Sequence, residues 1–139
     1  MDLADALAFA RDRRNGVLVT LKRDGRPQLS NILYVYGEEA IRISVTDSRA
    51  KTANLRRDPR ASLYVPGDSF WAYVVLEATA ELSPAAGAPD DAVVDELVEM
   101  YRSAAGEHPD WEDFRRAMVE EGRLVISLRP ERGYGMVRG

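Results

Sequence analysis

Apolar and polar residues alternate along much of the chain, and this two-residue period is typical of β-strands with one buried face. The clearest case is residues 40–46, which read Ala-Ile-Arg-Ile-Ser-Val-Thr. Turn signals such as Asp24-Gly25 and Pro66-Gly67-Asp68 separate other short runs that are rich in β-branched and aromatic residues. Together these patterns predict strands over 17–21, 28–36, 40–46, 61–65, 71–82 and 123–129.

Apolar residues at helical spacing predict helices in the remaining stretches. Residues 2–14 carry acidic residues early and arginines late, which suits the helix dipole, and Asn15-Gly16 is expected to end this helix. A second helix is predicted over 48–57, with Ser48 as its capping residue. Two more are predicted from apolar faces, one over 90–105 and one that includes Trp111, Phe114, Met118 and Val119. Hairpin-ordered strands with helices at the ends indicate a small antiparallel barrel or an α+β sheet.

Composition narrows the classes of function. A length of 139 residues suits one domain over 1–139, and 45% hydrophobic residues are enough for a core. The net charge of -4 argues against nucleic acid as a partner, so any phosphate site must be local. The chain has no cysteine and one histidine, His108, which excludes thiolate catalysis and a multi-histidine metal site. Because no apolar run approaches the ~18 residues of a membrane span, we expect a cytoplasmic protein without a membrane partner.

Residues 46–54 contain the most informative group of polar side chains. Hydroxyls, Arg49 and Lys51 lie where a predicted strand leads into a predicted helix, and such a helix start favours anions. Arg49 can bind two phosphate oxygens, Lys51 adds a point charge, and Ser48 can donate a hydrogen bond. On composition alone, an ordinary solvated helix face is an equally good interpretation.

The order and spacing of this segment resemble a known family. A strand followed by Ser48-Arg49-Ala50-Lys51 and then by Asn-Leu-Arg-Arg-Asp-Pro-Arg-Ala resembles the phosphate-binding turn of the pyridoxamine-phosphate-oxidase-like split-barrel superfamily. The likeness extends through 16–20, 24–30 and 128–132, and so covers nearly the whole chain. The amino-acid sequence of the turn and the helical insert before the last strand are most similar to the actinobacterial branch that uses the deazaflavin coenzyme F420.

The resemblance implies a split β-barrel of the FMN-binding type, with six to seven antiparallel strands and capping helices. It also implies a homodimer with coenzyme sites at the interface. The implied coenzyme-binding residues fall into four groups. They are Ser48, Arg49, Ala50 and Lys51 for the phosphate or acidic tail, with Asn54 supporting the turn; Ile43, Ser44 and Val45 lining the ring; Gln28, Ser30 and Asn31 at the ring edge; and Trp71 and Ala72 on an aromatic loop from the second subunit.

Plainer interpretations stay open for these residues. Each polar residue can be an ordinary side chain on a sheet face, and Trp71 can be a core residue at the start of a strand. Trp111 is interpreted as helix packing, and His108 and the paired acids of the helices as solvated groups. No catalytic residue is assigned.

The resemblance implies an F420-dependent reductase that transfers a hydride from reduced deazaflavin to an electron-poor double bond. The resemblance implies that flavin-using oxidases carry a basic residue near the end of strand three, and residues 42–46 contain no lysine, which weakens assignment as an FMN oxidase. It also implies an arginine and a histidine near the C-terminus for binding pyridoxal phosphate. The segment 129–134 has arginines but no histidine, so pyridoxamine phosphate oxidation is not expected. Two alternatives remain at this point. One is an FMN-binding oxidoreductase of the same fold, and the other is a non-enzymatic protein that binds F420, flavin or a tetrapyrrole.

Overall fold

A computed structural model of the chain describes residues 1–138. Within this range the chain forms six strands and four helices. In chain order the elements are α1 (Leu3–Arg11), β1 (Asn15–Leu21), β2 (Pro27–Leu33), β3 (Ile41–Thr46), α2 (Ala50–Arg57), β4 (Arg60–Pro66), β5 (Tyr73–Leu82), α3 (Ala92–Ala105), α4 (Trp111–Glu120) and β6 (Arg123–Met136).

The strands make one antiparallel sheet in the order β2-β1-β4-β5-β6-β3. The sheet curls, so its two edge strands, β2 and β3, come close to each other, and one bridge between Val35 and Arg42 joins the chain beyond β2 to β3. The result is a half-closed barrel with a split between β2 and β3. This confirms the predicted split β-barrel of the α+β class, with six strands.

Strand alternation places the core inside the barrel. The inward side chains of β1, β3, β4, β5 and β6, among them Leu18, Ile43 and Leu63, are almost completely buried. Helix α1 covers one end of the barrel through Ala6 and Ala10, and the Tyr34 hydroxyl donates a 2.8 Å hydrogen bond to the Ala10 carbonyl. Burial raises the pKa of Tyr34 well above its usual value. Tyr34 therefore ties the chain just after β2 to α1 as a neutral hydrogen-bond donor.

Helices α3 and α4 form a second apolar cluster outside the barrel. Their buried residues, including Val94, Leu97 and Met118, pack together with Val125 of β6. The pair leaves the sheet after β5 and returns at β6, and it lies beside the split. It therefore adds a wall to the barrel surface near the gap.

The last strand is much longer than predicted. It continues through Pro130 to Met136, whereas the sequence pattern predicted an end at 129 followed by a tail. The register between β5 and β6 shifts at Glu77 and Ala78, which pair with Arg132 and Pro130, so Glu131 is an extra residue on β6. A bulge of this kind accommodates proline within a sheet.

The predicted end of α1 and the predicted start of α2 were wrong. Helix α1 ends at Arg11 instead of 14, and Asn15 and Gly16 begin β1 instead of ending the helix. Helix α2 begins at Ala50 with Arg49 in the cap position and no capping side chain, so Ser48 is not the cap. The extended backbone of Arg49 moves the helix start one residue closer to Lys51.

No helix within residues 1–138 has both the length and the apolar character that crossing a bilayer would require.

Candidate functional site

The split between β2 and β3 leaves two strand edges without strand partners. Within residues 1–138, β2 pairs with β1 and β3 pairs with β6, and the bridge between Val35 and Arg42 is the one ladder contact across the gap. Alternate backbone N–H and C=O groups of both edges therefore face the cleft. A flat ligand with hydrogen-bonding groups on its rim fits such a cleft.

A cavity of about 500 Å³ opens at the split. Residues 31–35 at the end of β2 form one side, and Ser44 of β3, Lys51 of α2 and Arg123 of β6 form another. Helices α3 and α4 close the cavity with mostly apolar side chains. Its volume lies in the range of small-molecule and coenzyme sites.

One end of the cavity carries two cationic side chains, Lys51 and Arg123. Lys51 lies in the first turn of α2, and Arg123 Nη1 donates a 3.4 Å hydrogen bond to the Ser44 hydroxyl. Partial burial lowers the pKa of Lys51, and the positive charges of Arg49 and Arg123 lower it further. An anion bound here would offset this repulsion, so these residues suit a phosphate group. Arg49 itself is exposed beside the cavity, at the start of α2.

Hydrogen bonds hold α2 firmly against the barrel. The Thr52 hydroxyl donates to the Thr46 carbonyl at 2.9 Å, which ties the helix to the end of β3. The amide of the buried Asn54 donates to Thr20 Oγ1 at 3.1 Å and to Gln28 Oε1 at 2.6 Å, which ties it to β1 and β2. Asn54, which was expected to support the turn, thus links α2 to the hairpin of β1 and β2. The side-chain oxygen of Gln28 already accepts a hydrogen bond from Asn54.

The predicted ring-edge residues lie on two faces of β2. Gln28 and Ser30 are half-buried on the inner face, whereas Asn31 is exposed on the outer face and lies at the rim of the cavity. On β3, the side chain of Ser44 borders the cavity, but those of Ile43 and Val45 are buried in the barrel core. A ligand in the cleft would therefore meet residues 43 and 45 through their backbone.

The aromatic loop stands apart from this cavity. Phe70 is 84% exposed and Trp71 is 66% exposed, with their rings 4.9 Å apart in an edge-to-face arrangement. Trp71 belongs to a turn before β5 instead of to the strand, so its interpretation as a core residue was wrong. Ala72 is buried, and its carbonyl accepts a hydrogen bond from the Gly67 N–H. Within one chain, Trp71 and Ala72 do not join the residues around Lys51.

A family model described as pyridoxamine 5'-phosphate oxidase matches residues 4–136. The chain belongs to this family. The match includes all six strands and the helical pair, so membership extends to the cleft and both of its walls. The predicted family is confirmed by this match.

Solved structures with the same fold carry different ligands in their names. An F420 reductase matches with a TM-score of 0.64 at 22% identity, covering 91% of this chain and 94% of the other. An FAD-binding protein of Mesorhizobium loti gives 0.66 at 20% identity, with 96% and 92% coverage. The haem storage protein HutZ of Vibrio cholerae gives 0.68 at 15% identity, with 96% and 93% coverage. At these identities the likeness shows the fold.

Three parts of the cavity were missed in the sequence. Arg14 and Arg123 both border it, and α3 and α4 supply much of its surface, although the sequence pattern indicated only helix packing for them. Pairing between Thr46 and Arg123 brings the start of β6 to the end of β3. The first residue of a strand carries no local signal for such a long-range register.

Proposed function

We propose that the protein is an F420-dependent reductase whose coenzyme lies in the cleft between β2 and β3. The observation that carries this proposal is that two cations, Lys51 and Arg123, lie beside the Ser44 hydroxyl at one end of an apolar cavity between unpaired strand edges. A flat ring with an anionic chain matches both parts. The family of the chain and the F420 reductase with the same fold support this choice of ligand.

Each part of the cleft has a distinct task in this proposal. Arg49, Lys51 and Ser48 bind the anionic chain, and the strand edges at 43–45 and around Ser30 and Asn31 orient the ring. The helical pair keeps water away from the ring face. When bound, reduced F420 supplies a hydride for an electron-poor double bond, and the protein contributes binding, orientation and exclusion of water. We assign no proton donor, and the cytoplasmic location stays a prediction.

A flavin is the second candidate for the same cleft, because an FAD-binding protein shares the fold. Side-by-side calorimetric titration of the purified protein with F420 and with FMN tests the proposal. We expect F420 to bind at least about tenfold more tightly than FMN, a difference of about 1.4 kcal/mol. Tighter binding of FMN would replace the coenzyme in the proposal, and binding of neither would remove it.

We also propose that the protein acts as a homodimer. Large apolar side chains are exposed on the outer face of the sheet: Leu29 and Leu33 of β2 are 62% and 68% exposed, and Tyr134 and Met136 of β6 are also exposed. The stacked rings of Tyr64 and Tyr73 lie on the same face, with centroids 5.6 Å apart. A second copy would cover this surface and would allow the Trp71 loop to reach the partner's cleft.

Sedimentation at micromolar concentration should therefore give twice the 15.5 kDa chain mass. Leu29→Glu should shift the protein toward the monomer, because it places a charge in the covered face outside the cavity. Ala92→Glu introduces the same charge in the first turn of α3 and should leave the dimer intact. A parent protein that sediments at one chain mass with full F420 affinity would contradict the dimer.

A further inference from the structure

All the charged side chains that line the cavity are cations. They are Arg14, Lys51 and Arg123, whereas the acidic residues of α3 and α4 lie elsewhere on those helices. Arg123 pairs with Glu121 at 2.9 Å. Within residues 1–138, Arg14 and Lys51 have no carboxylate within ion-pair distance. The cavity thus offers two cations to an anionic ligand.

These two cations are positioned by different elements. Lys51 is in α2, which is tied to Gln28 at the start of β2. The Arg14 carbonyl accepts a 2.8 Å hydrogen bond from the Tyr34 N–H, beyond the end of β2. Arg14 is thus held beside the end of β2, whereas Lys51 is held by α2.

Arg14 is held against the apolar wall of the cavity. Its guanidinium Nη1 donates a 3.1 Å hydrogen bond to the Ala104 carbonyl in the last turn of α3. Four further N–H donors remain on the guanidinium. The wall beside it is formed by Leu97, Met100, Phe114 and Met118. The exposed head of Arg14 therefore lies where an apolar surface begins.

We infer that the substrate is a flat, largely apolar carboxylic acid, with its carboxylate on Arg14 and its apolar body against α3 and α4. This inference rests on the proposed function, since it names the substrate class of the same cleft. The planar fork of arginine matches a carboxylate, and the wall contributes burial of apolar area. Lys51 and Arg49 remain with the coenzyme. The acidic tail of F420 is the competing anion for Arg14, but a highly polar tail gains nothing from an apolar wall.

Calorimetric binding of cinnamate and of its neutral amide, cinnamamide, tests this inference. Both titrations are done with and without saturating F420, on the parent and on three variants. In the parent we expect cinnamate to bind roughly tenfold more tightly than the amide, the effect of about one charge-assisted hydrogen bond. Arg14→Gln should remove the preference and leave F420 affinity within about twofold of the parent.

Two further variants make the test specific. Arg11→Gln removes the same charge from the neighbouring helix, where Arg11 is 3.9 Å from Glu38 outside the cavity, and should keep the preference. Ala104→Glu places a carboxylate beside Arg14 and should abolish the preference with Arg14 still present. This second variant serves if Arg14→Gln lowers the melting temperature sharply.

The outcomes separate the inference from the proposed function. No preference for cinnamate in the parent, or equal loss in Arg11→Gln, would overturn the inference. Displacement of cinnamate by F420 together with weakened F420 binding in Arg14→Gln would assign Arg14 to the coenzyme tail and also overturn it. An Arg14-dependent preference for cinnamate in a protein that binds no F420 would overturn the proposed function, but it would still support a carboxylate-binding site at Arg14.

Discussion

Lys51→Ala is expected to weaken F420 binding by about ten- to a hundredfold, since each factor of ten corresponds to about 1.4 kcal/mol. The melting temperature should stay the same or rise slightly. Lys51 is half-buried, and the charges of Arg49 and Arg123 repel it, which is why its pKa is lowered. Removing the ammonium relieves that repulsion in the free protein, but it removes an anion contact in the complex.

The same pKa direction sets the pH dependence of binding. A bound anion favours the charged form of Lys51, so binding raises its pKa and takes up a proton. Affinity is therefore full at low pH and falls as the pH rises through the lowered pKa of Lys51. It should also fall as salt rises. In Lys51→Ala this pH dependence should disappear, which a titration series in buffers of increasing pH can measure.

Lys22→Ala is the matched control, because Lys22 is the other lysine of the chain and is exposed in the turn between β1 and β2. It should change neither the affinity nor its pH profile. Arg49→Ala should weaken binding in the same way as Lys51→Ala. If both site variants bind F420 and FMN as the parent does, the start of α2 is an ordinary solvated helix end.

Gly135→Ala should cost at least about 3 kcal/mol of the free energy of unfolding, which places it among severe single substitutions. Gly135 has a φ of 145°, and a Cβ there would lie 2.2 Å from the Tyr73 carbonyl oxygen and 2.8 Å from Val74 Cα. Both atoms belong to the backbone of the central strand β5, which pairs with β6 at this point. The sheet would have to separate to make room. Urea unfolding of the two proteins measures the loss.

Gly25→Ala provides the comparison for this variant. Gly25 has a φ of 87°, but a Cβ there would meet no heavy atom within 4 Å. The cost should be about 1 kcal/mol, from backbone strain alone. Equal losses in the two variants would show that the conformation, and not the close approach of β5, makes glycine necessary at 135.

Local patterns predicted the strands well because each strand has a buried and an exposed face. The alternation of 40–46 is visible in the sequence and corresponds to the alternating burial of β3. The end of β6 was missed because proline normally ends a central strand, and the bulge at Glu131 that accommodates Pro130 depends on pairing with β5. Trp71 was misplaced because a turn held by Ser69 looks locally like the start of a strand.

The candidate site was predictable where its residues are close in sequence. Lys51 and Ser44 lie within eight residues of each other, and the structure places both at the cavity. Strand pairing and the order of the hairpins bring Arg14 and Arg123 to the cavity. The spacing of apolar residues along the sequence does not predict which strands pair. The side chains of Ile43 and Val45 were predicted toward the ring, but the pleat that exposes Ser44 turns them inward.

Helices α3 and α4 lie in the segment that connects β5 to β6, and the two ends of this segment are hydrogen-bonded next to each other in the β5–β6 pairing. Leu82 pairs with Ile126, and the Ser83 N–H donates to the Val125 carbonyl at 3.0 Å, so the chain departs and returns at almost the same place. The barrel closes its hydrogen bonds without the intervening residues. A wall attached in this way can change in length or sequence while the strand edges of the cleft keep their pairing, so under the proposed function related barrels could take different substrates with the same coenzyme-binding edges.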